Sequence, residues 1–287
     1  MNKFEFHKAP VPNDPKAMCA FLALHTGLSR QKIKSALQKG AVWLKPERGR
    51  PRRIRRATYA LHSRDRVSLY YDPKVLAFIP PAARCLSDYA HFSLWLKPSG
   101  LLSQGSEWGD HGALLRQAEA FFTPPRQAFL VHRLDREASG VMMVAHSPDA
   151  AARISALFQK REVTKLYLVE VMGRPGEPEA KGTILHELDG RPAATSFVVR
   201  SFNPERETSL VVVRIDSGRK HQIRRHFELI GCPVMGDPRY GKGNKDAGGL
   251  KLSAYALSFT CPFTGRLISA RLDVSDIHWA VSPSVLL

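Results

Sequence analysis

Asp135 stands between two arginines in the string Val131-His132-Arg133-Leu134-Asp135-Arg136-Glu137-Ala138-Ser139-Gly140. Neighbouring cations favour the ionised carboxylate. An ionised aspartate held on a loop can act as nucleophile or base toward a bound substrate. An arbitrary Asp beside Arg is more often a solvated ion pair or a turn device, so the flanking elements decide. Residues 128–131 and 141–145 are short, partly β-branched apolar runs that read as buried strands. Asp135 therefore falls where two strands deliver a loop, a common place for a reactive group on a rigid scaffold.

A second constellation lies downstream, in Asp216-Ser217-Gly218-Arg219-Lys220-His221-Gln222-Ile223-Arg224-Arg225-His226 and Gly231-Cys232-Pro233-Val234-Met235-Gly236-Asp237-Pro238-Arg239-Tyr240-Gly241. Residues 210–215 read as a strand, and Ser217-Gly218 as a turn. A helix is expected from near Lys220, with Ile223, Phe227 and Ile230 as its buried face. His221, Arg224 and Arg225 then fall largely on other faces. Arg219, at the junction, is free to point back toward Asp135. Arg225 reads equally as a solvated residue or a phosphate contact. In Lys165-Leu166-Tyr167-Leu168-Val169-Glu170-Val171, alternation predicts a strand with Lys165, Tyr167, Val169 and Val171 on one face. A strand tyrosine alone more often means core packing.

These blocks, taken with Lys97-Pro98-Ser99-Gly100-Leu101 before them and Leu252-Ser253-Ala254 after them, resemble the RluA-like pseudouridine synthases in motif and in order, over residues 86 to 275. Three positions depart from the family pattern: Ala138 and Ser217 stand where threonine is usual, and Ser253 where histidine is usual. The resemblance implies an isomerase that detaches uracil from its ribose, turns it and rejoins it through carbon, with no cofactor and no metal. Asp135 would be the catalytic residue, as nucleophile or as base. Arg219 would be its ion-pair partner, and Tyr167 would stack on the base. Arg133, Arg136, Lys165, His221, Gln222, Arg224 and Leu252 would contact the substrate. The implied fold is α+β, a mixed, largely antiparallel sheet, and the target uridine must leave its stack to reach a carboxylate.

The amino-terminal stretch reads as helix, turn, helix, strand, basic loop, strand, and resembles an S4-type RNA-binding module. Asp14-Pro15 suggests a first helix ending at Gly27, and Ser29 caps a second that ends at Gly40. Strands are expected at 41–45 and 66–71. The loop carries Lys45, Arg48, Arg50, Arg52, Arg53, Arg55 and Arg56 against Glu47 alone. Expected boundaries are a module at 1–73, a linker at 74–90, a catalytic domain at 91–280 and a tail at 281–287. A net charge of +17 favours polyanions without choosing among them. Structured RNA, ribosomal or transfer, is the expected partner, and no protein partner is evident. A non-catalytic RNA-binding factor is the alternative if the three catalytic candidates were missing. A DNA-binding protein using Arg48-Gly49-Arg50-Pro51 is another. The four cysteines lack metal-binding spacing. No membrane-length apolar run or secretory leader is seen, so a cytoplasmic location is expected. The glycines from 241 to 249 read as a flexible loop without phosphate-binding spacing.

Overall fold

Gly27 and Ser29 separate the first two helices by opposite means. In the computed structural model, which describes residues 2–279, Gly27 ends helix α1 (Met18–Thr26) in the left-handed region, and the Ser29 hydroxyl accepts the Lys32 N–H to cap α2 (Arg30–Gln38). The tail expected at 281–287 lies outside the described residues. Helix α1 starts later than Asp14-Pro15 suggested. The Asp14 carboxylate instead accepts from the Val11 N–H (2.9 Å) and pairs with His25 (2.8 Å), closing a turn ahead of the helix. Strands β1 (Phe4–Lys8), β2 (Val42–Lys45), β3 (Arg52–Arg53) and β4 (Arg66–Tyr71) form an antiparallel sheet in the order β1-β4-β2-β3. Strand β1 was not expected. Alternation sends Val42, Leu44, Val67, Leu69 and Tyr71 into a core with Phe21, Leu22, Ile33 and Leu37. Helices α3 (Pro73–Ala77) and α4 (Leu114–Phe121) complete this unit, which comprises Met1–Pro80 and Gln104–Phe121.

The second unit comprises Pro81–Ser103 and Phe122–Leu287. Its strands are β5 (Arg84–Asp88), β6 (Phe92–Lys97), β7 (Phe129–Leu130), β8 (Ser139–Ala145), β9 (Thr164–Met172), β10 (Lys181–Leu185), β11 (Ala194–Asn203), β12 (Thr208–Ile215), β13 (Leu252–Thr260) and β14 (Leu267–Arg271). The stretch expected as a linker thus holds α3 and β5. The sheet runs β10-β11-β12-β9-β13-β8-β6-β5, with β14 paired to β13 and β7 to β8. Only β13 and β8 pair in parallel; the other ladders among the described residues are antiparallel. The fold is therefore α+β with a mixed, largely antiparallel sheet. Helix α5 (Pro148–Gln159), capped by Ser147, lays Ala150 and Ile154 against Val141 and Met143 of β8. Helix α6 (Gln222–Leu229) buries Ile223 and Phe227, while Ile230 lies past its end and is 40% exposed.

The glycine-rich stretch from 241 to 249, expected to be a flexible loop, is largely exposed but is tied down at its middle. Asn244 is fully buried and donates to the Val234 and Tyr240 carbonyls at 2.6 and 3.0 Å, and Lys245 donates to the Asp237 carbonyl at 2.6 Å. Gly140 makes the parallel β8–β13 contact possible. It sits at φ +127°, and a Cβ there would lie 2.4 Å from the Ala254 carbonyl oxygen. Gly140→Ala is expected to destabilise the protein by at least about 2 kcal/mol, since strained φ and a backbone clash combine. Urea unfolding with the wild type alongside checks this; equal midpoints would contradict it.

Candidate active site

The segment Lys97-Pro98-Ser99-Gly100-Leu101, at the end of β6, holds the Asp135 loop from below. The fully buried Lys97 ammonium donates to the carbonyls of Leu101 (2.8 Å), Pro98 (3.0 Å) and Arg136 (3.3 Å). The Gly100 N–H also donates to the Arg136 carbonyl at 2.7 Å, and the Ser99 hydroxyl to that of Glu137 at 2.6 Å. Ser103 Oγ donates to the Leu134 carbonyl at 2.7 Å and accepts its N–H at 3.1 Å. The backbone on both sides of Asp135 is thereby fixed. Burial pushes Lys97 down to about 7, while the charges of Asp135 and Glu137 pull it back up. His132 lies behind the loop, stacked on Phe158 with centroids 4.6 Å apart, and its Nε2 accepts the Met143 N–H at 2.9 Å. Burial, then the Lys165 charge, lowers His132 to about 3, so the imidazole stays neutral.

Arg224 makes the ion pair with Asp135 that the sequence reading gave to Arg219. Its Nη1 donates to Asp135 Oδ2 at 2.9 Å. Its Nε and Nη2 donate to the two oxygens of Asp237 at 2.7 and 2.8 Å. Arg224 is 2% exposed and Asp237 is fully buried. Burial alone would raise the Asp237 carboxyl; the Arg224 hydrogen bonds and the Tyr240 and Arg239 N–H groups outweigh it and leave it lowered. Burial opposes the Arg224 charge, but the hydrogen bonds it donates to Asp237 and Asp135 more than offset that and raise its pKa. Placing Arg224 on an outer helix face overlooked Asp237, whose position after α6 supplies the buried partner. Arg219 lines the same cleft, but its Nε is buried without a hydrogen-bond partner.

The cleft holds about 270 Å³ and is lined by Asp135, Tyr167, Arg133, His221, Leu252 and Ala138, among others. Tyr167 reaches it from β9 and Leu252 from β13. Burial, and then the Asp135 charge, raises the Tyr167 hydroxyl pKa, so the ring enters as a neutral phenol. His221 occupies the left-handed region at φ +54° just before α6, uncommon for a residue with a Cβ. From there its Nε2 comes 3.7 Å from Asp135 Oδ1, and its Nδ1 bonds the Tyr240 hydroxyl at 3.0 Å. Burial lowers its pKa despite the Asp135 charge. Gln222 also touches the cleft, but its amide is fully used. It accepts from Ser217 Oγ and the Arg219 N–H, and donates to the Ala194 carbonyl and Thr195 Oγ1. It pins the turn and has no free group for a substrate. Lys165 and Arg136 do not line the cleft; Lys165 lies 5.9 Å from the Phe158 ring centre, and Arg136 donates to the Gly100 carbonyl at 3.2 Å. Ser253, at the position of the family's histidine, is buried with its hydroxyl unpartnered. Lys97, Asp237 and Tyr240 were not singled out as site residues, although the motifs quoted for the resemblance contain all three. Among the described residues, no cluster of three His, Cys, Asp or Glu side chains is arranged to hold a metal ion.

The basic loop belongs to the first unit, where two of its seven cations are already paired. Arg53 and Arg55 reach Asp110 at 3.3 and 2.5 Å. Arg53 also donates to the carbonyls of Gly40 and Ser106, and burial lowers its pKa. Arg52 bonds the Tyr59 hydroxyl and Arg56 the Thr58 hydroxyl. Lys45, Arg48 and Arg50 are exposed.

The family described as RNA pseudouridylate synthase matches residues 91–229. A protein named dual-specificity RNA pseudouridine synthase RluA, from Salmonella typhi, is 31% identical over 199 residues, covering 63% of this chain and 89% of the relative. One named ribosomal large subunit pseudouridine synthase D, from Nitrosomonas europaea, is 30% identical over 206 residues, covering 62% of this chain and 58% of the relative. The fold is similar to that of human RNA pseudouridylate synthase domain containing 1, with a TM-score of 0.57, 22% identity, and coverage of 68% of this chain and 86% of that one. The chain belongs to the RNA pseudouridine synthase family, isomerases that act on RNA.

Two outcomes are expected. Arg224→Lys keeps a charge but cannot bridge two carboxylates. It should lose most single-turnover activity and be destabilised by roughly 3–5 kcal/mol, the cost of breaking a buried pair. Arg219→Met should melt near the wild-type temperature, and the reverse ordering would overturn the assignment of the pair. Lys97 gives a pH signature. Its protonated form is disfavoured in the folded state from about 7 up to its unfolded pKa of ~10.4. The penalty is therefore full below that window and is relieved as pH rises through it. Relative to Lys97→Met, wild-type stability should climb between pH 7 and 9 by up to about 1.4 kcal/mol per unit. Parallel urea curves for the two proteins would contradict it.

Proposed function

We propose that this chain converts uridine to pseudouridine in structured RNA, ribosomal RNA foremost, with Asp135 reacting at the ribose. The observation that carries this reading is the fixed Asp135 carboxylate, held by Arg224 at 2.9 Å at the edge of a cleft shared with Tyr167. At about 270 Å³ the cleft is small, below the ~300–1,000 Å³ usual for drug-sized ligands, and suits one flipped nucleoside. Asp135 would act as nucleophile at the sugar carbon or as base at the sugar; both routes need its charge and its fixed position. Tyr167 would lie against the uracil while the glycosidic bond is open, and Leu252 would close the apolar side. Arg133, exposed at the rim, would meet a phosphate beside the flipped nucleotide. His221 and Arg219 line the same wall. The overall change is an isomerisation, so it consumes no oxidant or reductant. Ribosomal RNA is favoured by the ribosomal relative's name.

The first unit would serve as an S4-like RNA-binding module. Its helix-turn-helix followed by β2 and β4 supports that reading, with Lys45, Arg48 and Arg50 as its available phosphate contacts. A cytoplasmic site of action follows from an RNA substrate. No helix among the described residues is long and apolar enough to cross a membrane. Asp135→Asn keeps the shape and removes the charge. Purified Asp135→Asn protein should form no pseudouridine on ribosomal RNA yet bind that RNA almost as tightly as the wild type. Appreciable product would sink the mechanism. Pseudouridine mapping of total RNA with and without the gene should show the lost sites in ribosomal RNA; losses confined to transfer RNA would overturn that choice.

A further inference from the structure

We propose that the outward face of the first unit's sheet carries a second RNA subsite, one that takes an unpaired base on Trp43. The proposal rests on the RNA reading above and adds to it a place, a ligand and a residue.

A cleft of about 670 Å³ lies on this face, away from the core, and is lined by His7, Trp43, Lys45, Arg66, Ser68 and Tyr70 with Lys8, Pro51 and Glu107. Register explains the grouping. In β4, Ser68 pairs with His7 of β1 on one side and Trp43 of β2 on the other. One step along, Arg66 pairs with Lys45. The alternation that buries Val67 and Leu69 turns Arg66, Ser68 and Tyr70 outward.

Both large rings are held in place by their neighbours. The Trp43 indole N–H donates to the Glu107 carbonyl at 3.1 Å, and the Arg53 guanidinium lies 4.2 Å from the ring centre. Tyr70 is braced edge-on by His7 and by Trp108, each with centroids 5.5 Å apart. A braced aromatic ring loses little freedom when a base stacks on it. Arg66 and Lys45 stand directly opposite each other on exposed positions. Like charges paired across a ladder destabilise a sheet, and a bound phosphate would remove that cost. An aromatic platform beside two cations is the chemistry that binds single-stranded nucleic acid. A base inside a duplex already has its faces covered and would not enter. Two carboxylates lie near this cleft, Glu107 in its lining and Glu5 at 3.4 Å from His7, and both act on Tyr70. Among the described residues no ion pair ties either to Lys45 or Arg66.

The test uses the full-length protein and a fluorescent oligocytidine decamer, which lacks uridine and so does not report on the isomerisation. The same decamer annealed to oligoguanosine is the duplex control. Trp43→Ala should weaken decamer binding roughly 5- to 150-fold, the range for loss of one base stack. Trp43→Phe should restore most of it, and duplex binding should change little. Single-turnover rates at saturating ribosomal RNA should stay at the wild-type level. Equal decamer affinity for folded Trp43→Ala and wild type would overturn the subsite while leaving the RNA reading intact. So would equal losses for decamer and duplex. Failure of the wild type to bind any RNA would overturn both. If Trp43→Ala melts early, the doubly substituted Lys45→Gln, Arg66→Gln protein keeps both rings. Its salt dependence for the decamer should flatten by roughly 1.4 in log–log slope, for two lost phosphate contacts on a single strand. An unchanged slope would overturn the proposal.

Discussion

Arg224 cannot stay buried unless two carboxylates meet it, and that requirement organises the second unit. Asp237 takes two of its donors and Asp135 a third. An uncompensated buried guanidinium would cost several kcal/mol. Helix α6, the turn after it and the loop between β7 and β8 must therefore arrive together. The Gln222 amide anchors the start of the helix to β11, and the packed stretch around Asn244 supports the Asp237 turn. Lys97 fixes the Asp135 loop from the other side through three carbonyls. The Asp135 carboxylate inherits its position from all of these.

The electrostatics follow the same logic. Two lowered imidazoles, His132 and His221, add no firm positive charge near Asp135. Among the described residues, the one arginine in ion-pair contact with it is Arg224. One guanidinium shared between two carboxylates leaves Asp135 anchored but with an oxygen facing the cleft. A carboxylate enclosed by several cations would be a poorer nucleophile or base. Tyr167 stays neutral beside it and contributes a flat face without a competing charge.

Much of this was legible in the sequence where local physics decides. Strand β4 follows period-two alternation from Arg66 to Tyr71, and Ser29 and Gly27 punctuate the first two helices as their chemistry requires. The cleft gathers Asp135, Tyr167, Arg133, Leu252 and His221 from motifs far apart in the chain. The choice between Arg219 and Arg224 was not legible. Counted from Ile223, Arg224 is rotated by about 100° on the helix, so apolar periodicity sends it toward solvent. Its burial depends on Asp237, which lies beyond the helix. The charge the basic loop presents was not legible for the same reason, since Asp110 pairs with both Arg53 and Arg55 from a separate segment and offsets one of their two charges. The glycines near Asn244 permit turns, but the hydrogen bonds of its buried amide depend on carbonyls that periodicity does not point to.

The first unit is assembled from two stretches of chain, with part of the second unit between them. Residues 104–121 follow the basic loop in sequence, yet they supply the carboxylate that Arg53 and Arg55 share and the carbonyl that holds the Trp43 indole. The first eighty residues by themselves would therefore be more cationic than the finished unit and would leave that ring unheld. One inserted segment thus sets both how much charge the unit shows to an anion and how firmly it presents an aromatic face.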